Sequence, residues 1–300
     1  MSLVIIQAGI LYLLFQKSIE TNGDIVAYLE VVKGNLSDLA FDFEPISFLI
    51  FKIIGIFPER LHFYLLYFVS LAGLLTANFV IFSKTKNSIS WVIFYGICVM
   101  PFACAINLRT GYGFLFLLLF GFRKITVLTL PLFHVSLGSL LLALRVKFNL
   151  LSFMTVLLIL SGLFYFLGNL IINKVSSYLL YYLQGESIVG IIVELAVLGL
   201  FTFYFFRIYQ HSNKYVWVRV LLMLFIVSLI FSPIAVISSR FITLIYLVII
   251  MMRINSIKKS HTLKSRFSFK NVMFSGLFLG LILFRFYRTV TMFGYLEFTL

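Results

Sequence analysis

Long apolar runs separated by short polar gaps occupy most of this chain, and they limit its fold more than any other feature. The runs lie at 3–16, 46–57, 61–82, 89–106, 110–122, 125–144, 149–170, 188–206, 216–238, 241–252 and 271–284. Hydrophobic residues make up 62% of the sequence and charged residues 11%, whereas soluble domains are ~45–50% apolar and ~25% charged. Because ~20 apolar residues span a bilayer as a helix, we predict an all-α, polytopic integral membrane protein with about nine transmembrane helices in a single domain over 1–300.

The distribution of charge predicts which loops face the cytoplasm. Seven of the ten acidic residues lie between positions 20 and 59, while Lys and Arg collect in later gaps. Cytoplasmic loops are rich in Lys and Arg, so 17–60 is expected to be an acidic loop on the outer side and 253–270 a basic cytoplasmic loop. The net charge of +14 is therefore attributed to topology, and nucleic acid is not expected as a partner. Arg285 and Arg288 are exceptions, because they fall on the predicted outer side.

Two segments are not expected to cross the membrane. Residues 46–57 follow a Glu-Pro pair, and Pro is favoured in the first helical turn, so an interfacial helix is predicted there. Counting crossings places the basic gap 145–147 outside unless one of the runs 110–122 and 125–144 is re-entrant, and the sequence leaves open which one. Two stretches of this region are polar and helix-breaking, namely 107–113 with Gly111 and Gly113, and 131–134 with Pro131. Since non-helical backbone at membrane depth must be buried in protein or line a wet cavity, 107–136 is predicted to line a cavity.

Ionisable residues within or beside the apolar runs are candidates for chemistry, because such residues are costly in a membrane and usually mark function. Arg109 and Arg240 are predicted at helix breaks on the outer side, where two guanidinium groups can bind a pyrophosphate through bidentate hydrogen bonds. His134 lies in an apolar run near mid-membrane, and imidazole titrates near neutral pH, which suits proton transfer or a bond to phosphate. Structural alternatives stay open, namely arginines that reach lipid headgroups and a histidine that satisfies only a local hydrogen bond.

The predicted outer loops carry the remaining candidates. Asp24 and Glu44 each stand at the start of a short helix, so each is either a general base or a carboxylate that stabilises a helix N-terminus. Tyr28, Tyr181 and Tyr182 are candidates for stacking on sugars, although aromatic residues also collect at membrane interfaces. Asp42 with Glu44 stays open as a cation candidate, but a metal site requires more oxygen ligands than these two supply. The two cysteines have no metal-ligand spacing either, so no metal or other cofactor is expected.

Four short motifs follow one another in the first half of the chain: GDIVAY at 23–28, EPISFL at 44–49, NLR at 107–109 and LFHVS at 132–136. In that order they resemble the EpsG-like and Wzy-type O-antigen polymerases, with some support from Ser239-Arg240. The resemblance implies an enzyme of the bacterial inner membrane that joins oligosaccharide repeat units carried on undecaprenyl pyrophosphate, at the periplasmic face. Membrane lipids, a flippase and a chain-length regulator are the further partners that it implies.

Under this resemblance, Arg109 and Arg240 hold the pyrophosphate, and Asp24, Glu44 or His134 takes the proton of the attacking sugar hydroxyl. Asp24 or Glu44 is preferred as the base, since His134 at membrane depth suits the lipid-phosphate end better. A transporter or flippase for a lipid-linked sugar or anion is the main alternative, and a membrane acyltransferase is a third. The missing internal repeat and the acidic outer loop count against the transporter.

The predicted orientation is testable by cysteine labelling. Ser37→Cys should react with a membrane-impermeant thiol reagent in intact cells and Ser260→Cys only after permeabilisation, because the first lies in the acidic loop and the second in the basic loop. Both variants are made in a background in which Cys98 and Cys104 are replaced by Ala. Labelling of Ser260→Cys alone in intact cells would reverse the topology.

Overall fold

The structure is a computed structural model that describes residues 2–20, 24–34, 44–85, 88–121, 124–134, 137–138, 140, 188–209, 215–230, 235–257, 276 and 279–288. Every regular element in these ranges is helical, and they contain no β-strand. The all-α part of the predicted fold is therefore confirmed for the described residues. The chain divides into two compact units, the first formed by 1–139, 246–267 and 285–300 and the second by 140–245 and 268–284.

The first unit holds most of the residues singled out from the sequence. Its helices are α1 (Ser2–Glu20), α2 (Asp24–Lys33), α3 (Pro45–Gly55), α4 (Glu59–Lys84), α5 (Ile89–Cys98), α6 (Leu108–Phe120) and α7 (Lys124–Thr129), with a π-helical turn at Pro101–Ile106 and a 3₁₀ turn at Leu130–Leu132. Helix α4 packs against α1, α3, α5 and α6, and the π-helical turn packs against α1 and α6. The core between them is apolar and includes the fully buried Leu11, Phe51, Leu66, Phe94 and Phe114.

The second unit contains α8 (Ile188–Tyr209), α9 (Tyr215–Ile230) and the part of α10 (Ala235–Ile257) that precedes residue 246. Helix α8 packs against α9. The Ser238 hydroxyl donates a hydrogen bond to the Ser228 carbonyl at 3.0 Å, which links α10 to α9.

Helix α10 corrects one prediction. It continues through Arg240, so the helix break expected at Ser238-Ser239-Arg240 is wrong. Serine and threonine hydroxyls in a helix can bond to carbonyls of the preceding turn, and the Thr243 hydroxyl donates to the Ser239 carbonyl at 2.8 Å. Polar residues therefore stand inside this helix without interrupting it.

The number of membrane spans is not confirmed. Among the described residues, α4 is the one helix that is long and apolar enough to cross a membrane by length and composition. The predicted span 89–106 is two pieces, because α5 ends at Cys98 and the π-helical turn begins at Pro101. Proline has no amide hydrogen and its ring collides with the preceding helical turn, so a regular α-helix does not pass through it.

The segment expected to line a cavity agrees with its prediction in one part and differs in another. The helix break expected at 131–134 is confirmed, since α7 ends at Thr129 and His134 follows the 3₁₀ turn that contains Pro131. Conversely, Gly111 and Gly113 were expected to break the helix and lie inside α6. A re-entrant path for this segment stays a prediction.

Gly111 allows α6 to pack closely against the π-helical turn. A Cβ added at Gly111 would lie 1.8 Å from the carbonyl oxygen of Ala103, and a backbone atom cannot rotate away as a side chain can. At Gly73 in α4, an added Cβ would meet only the Leu115 side chain, at 3.7 Å. The close approach therefore requires glycine at position 111 but not at position 73.

Gly111→Ala should lower the melting temperature of the detergent-purified protein or prevent its accumulation, because overpacking costs about 1–3 kcal/mol. Gly73→Ala is the matched control and should be neutral or slightly stabilising, since Ala is favoured over Gly by about 1 kcal/mol within a helix. Thermal unfolding followed by intrinsic fluorescence compares the two. Equal melting temperatures would contradict the packing of α6 described above.

Candidate functional site

Glu44 is the centre of a buried polar cluster in the first unit. It immediately precedes α3, yet its side chain makes no capping hydrogen bond to that helix. Instead, its Oε2 accepts a hydrogen bond from Nη1 of Arg109 at 2.6 Å. Only 3% of Glu44 is exposed. The carboxylate therefore lies at the N-terminus of α3, as expected, and its side chain forms an ion pair that joins α3 to α6.

Arg109 reaches this carboxylate from the first turn of α6. The helix begins after Asn107, whose Oδ1 accepts a hydrogen bond from the Thr110 N–H at 3.2 Å and so caps it. The guanidinium carbon of Arg109 lies 5.7 Å from the ring centroid of Tyr28, which in turn stacks on Phe51 at 5.1 Å. Since a cation is attracted to the face of an aromatic ring, the guanidinium is held by an aromatic face as well as by a carboxylate.

His134 approaches the same carboxylate from the chain after the 3₁₀ turn. Its Nε2 lies 3.8 Å from Oε1 of Glu44 and 3.4 Å from Nδ2 of Asn107, and the residue is buried. The Ser47 hydroxyl of α3 donates to the Phe133 carbonyl at 2.7 Å, which ties the segment before His134 to α3. Three parts of the sequence therefore converge on one buried carboxylate.

The structure brings together four of the predicted site residues, namely Glu44, Arg109, His134 and Tyr28. Asp24 begins α2, but its side chain lies outside the described residues. The roles of the four residues stay predictions, while their proximity is a property of the fold.

The remaining predicted residues are not part of this cluster as described. Tyr181 and Tyr182 lie outside the described residues. Arg240 belongs to the second unit, in the interior of α10 rather than at a helix break. Joint binding of one pyrophosphate by Arg240 and Arg109 stays a prediction.

Three residues that shape the cluster were missing from the predicted site, namely Asn107, Ser47 and Phe51. Asn107 carried a recognisable signal, because an Asn directly before an apolar helix is a strong N-cap candidate. Ser47 and Phe51 stand four residues apart on the buried face of α3, so helical spacing places them together. Their contacts with distant residues depend on tertiary packing and leave no local signal.

The cluster is suited to binding an anion and to moving a proton. It contains a guanidinium, a carboxylate already paired with that guanidinium, and an imidazole. Across the described parts of the chain, no group of three or more His, Cys, Asp or Glu residues comes together to hold a metal ion.

Two arginines that departed from the predicted charge distribution are buried in the first unit. Arg285 is fully buried and Arg288 is 6% exposed. The guanidinium carbon of Arg285 lies 3.8 Å from the ring centroid of Phe102 and 5.5 Å from that of Tyr246. The aromatic rings stabilise this cation within the protein interior.

A second ion pair of the first unit lies at the surface and joins α2 to α4. Lys33 Nζ is 2.7 Å from Oε1 of Glu59, with 31% and 70% of the two side chains exposed. The hydrogen bond to Glu59 raises the pKa of Lys33. Because it is exposed, this ion pair is a suitable control for the buried ion pair between Glu44 and Arg109.

Comparison with known proteins adds no relative. No family model matches the chain, and neither curated proteins nor solved structures match it. The resemblance to polysaccharide polymerases therefore depends on the four sequence motifs.

A double-mutant cycle tests the buried ion pair. Glu44→Ala should destabilise the protein by about 3–5 kcal/mol, because a largely buried guanidinium then loses the carboxylate that neutralises it. In the double variant that also carries Arg109→Ala, the loss of unfolding free energy should be smaller than the sum of the two single losses. The coupling free energy should be about 1–3 kcal/mol. Denaturant unfolding in detergent measures both quantities.

The cycle of Lys33→Ala and Glu59→Ala is the control. Its coupling should be much smaller, since water screens an exposed pair. Couplings of equal size would contradict the burial of the pair between Glu44 and Arg109.

Proposed function

We propose that this chain is a glycosyltransferase of the bacterial inner membrane that polymerises undecaprenyl-pyrophosphate-linked oligosaccharide repeat units at the periplasmic face. The observation that carries the proposal is the convergence of Glu44, Arg109 and His134 in one buried cluster. These residues come from three of the four motifs that resemble the polymerases, and Tyr28 of the remaining motif lies against Arg109. Motifs that are far apart in the sequence thus contribute to one candidate site.

The proposed reaction needs a cation and a base, and the cluster offers both. As the bond between the anomeric carbon and the pyrophosphate oxygen breaks, its electron pair leaves with the pyrophosphate, whose added charge the planar guanidinium of Arg109 stabilises. The acceptor hydroxyl forms the new bond to the anomeric carbon and loses its proton to a base. Two candidate bases belong to the cluster, namely Glu44, which pairs with the guanidinium, and His134, which lies beside Glu44.

The surface of α4 supports a membrane location. Its exposed residues include Phe68, Leu75 and Phe79, whereas Ser70 and Asn78 are buried. A helix of a water-soluble protein favours the opposite arrangement, with apolar residues inside and polar residues in contact with water. Moreover, only 39% of the most apolar stretch of α4 is buried, which distinguishes it from a core helix.

Arg109→Ala should abolish long-chain polysaccharide while single repeat units are still made and exported, because the leaving pyrophosphate loses its cation. Arg109→Lys should restore polymer only partly, since an ammonium group cannot provide the planar, bidentate fork. Gel electrophoresis of the extracted polysaccharide from a complemented deletion strain measures the banding, with protein abundance checked in parallel.

Arg60→Ala is the matched control, because Arg60 is exposed at the start of α4 on the same predicted side. It should leave the banding unchanged. Wild-type banding from Arg109→Ala would end the proposal, and loss of exported single units would instead indicate a flippase.

A further inference from the structure

We propose that Asn107 is a positioning residue that holds His134 as the Nδ1–H tautomer, and that the lone pair thus left on Nε2 is the proton acceptor of the reaction. The assignment of the proton depends only on the geometry of the cluster. Its catalytic meaning rests on the proposed function.

The orientation of the Asn107 amide is determined by its role as a helix cap. The backbone N–H of Thr110 points at Oδ1 of Asn107 at 3.2 Å, and an N–H group can only donate. The oxygen of the amide therefore faces Thr110, and the NH₂ group faces His134, with Nδ2 3.4 Å from Nε2.

This orientation decides which imidazole nitrogen carries the proton. An amide NH₂ group is a donor only, so its partner must offer a lone pair. In a neutral imidazole one nitrogen donates and the other accepts. With Nε2 of His134 accepting from Asn107, the hydrogen of the neutral ring lies on Nδ1.

Glu44 favours the state that follows proton uptake. Its Oε1 lies 3.8 Å from Nε2, which is beyond hydrogen-bond distance, while Oε2 is engaged by Arg109. Once Nε2 takes a proton, the imidazolium stands beside a carboxylate, and an opposite charge at this distance stabilises the charged form. Glu44 is then an electrostatic partner, and His134 rather than Glu44 is the base.

In the proposed step, one bond forms at the anomeric carbon as another breaks, and one proton moves to His134. The acceptor hydroxyl replaces the long hydrogen bond from Asn107 at Nε2 and gives up its proton to that nitrogen. Its oxygen forms the bond to the anomeric carbon, and the electron pair of the broken bond leaves on the pyrophosphate beside Arg109.

Nitrogen-15 NMR of histidine-labelled protein in lipid nanodiscs tests the tautomer directly, because protonated and unprotonated imidazole nitrogens have well separated chemical shifts. The His134 signals are assigned by their loss in His134→Gln. At about pH 8, above the usual imidazole titration, the wild type should show a protonated Nδ1 and an unprotonated Nε2. A protonated Nε2 in the wild type would overturn the proposal.

Asn107→Asp separates the cap from the tautomer. Aspartate is as good an N-cap as asparagine, but it offers His134 an acceptor instead of a donor, so a proton should move onto Nε2. An Nε2 that stays unprotonated in this variant would equally overturn the proposal. Asn78→Ala removes a buried asparagine that bonds to Gln7 instead, and it should leave the His134 signals unchanged. If Asn107→Asp does not fold, the wild-type spectrum and the spectrum of Asn107→Ser decide the tautomer. Serine keeps a capping oxygen but lacks the amide donor.

The polymerisation assay adds the catalytic test. Asn107→Asp should reduce long-chain polymer per folded protein at least about tenfold, since an imidazole in the wrong protonation state cannot act as the base. Asn78→Ala should retain it. If the spectra agree with the proposal but the wild type makes no polymer, the proposed function fails while the tautomer stands. A normal polymer level in Asn107→Asp would reject His134 as the base.

Discussion

The buried ion pair between Glu44 and Arg109 is the interaction on which the candidate site depends. A carboxylate or a guanidinium removed from water is destabilising by several kcal/mol unless an opposite charge lies close to it. The two residues stand where α3 and α6 begin, so neutralising them requires these two helix ends to meet. The cap at Asn107 and the ring of Tyr28 then orient the arginine within that arrangement.

Departures from regular α-helix surround this ion pair. The π-helical turn ends at Ile106, directly before Asn107, and the 3₁₀ turn ends two residues before His134. Such irregular turns often occur at functional sites, because they redirect the chain and release backbone groups from the helical ladder. The carbonyl of Phe133 is one such group, and Ser47 satisfies it. The same geometry that interrupts the helices thus aims His134 at Glu44.

The sequence was sufficient to single out Glu44, Arg109 and His134, because an ionisable residue beside an apolar run has an evident cost and needs a reason. It was not sufficient to show that Glu44 pairs with Arg109, since that ion pair joins residues 65 positions apart. The helix break at 131–134 was predicted correctly, because Pro131 cannot continue a regular helix and this signal is local to the sequence.

The two glycines of α6 were predicted wrongly. Gly111 and Gly113 were taken as helix breakers, which is the usual local meaning of glycine. In α6 they remain helical, and Gly111 admits a backbone carbonyl of the π-helical turn into the space of its missing side chain. Local sequence does not distinguish a glycine that breaks a helix from one that permits a close helix contact, because the difference lies in the neighbouring element.

Two different restraints on Arg109 suit it to the exchange that the proposed reaction requires. The carboxylate of Glu44 occupies the position of an anion on the guanidinium, so a substrate pyrophosphate binding there must displace it. The Tyr28 ring attracts the same guanidinium through its π face and does not compete for an anion. The aromatic contact therefore persists while one anion replaces another, which keeps the planar fork in place during the exchange. When Oε2 of Glu44 is released, the carboxylate remains beside Nε2 of His134, where its charge is needed once the imidazole takes the proton.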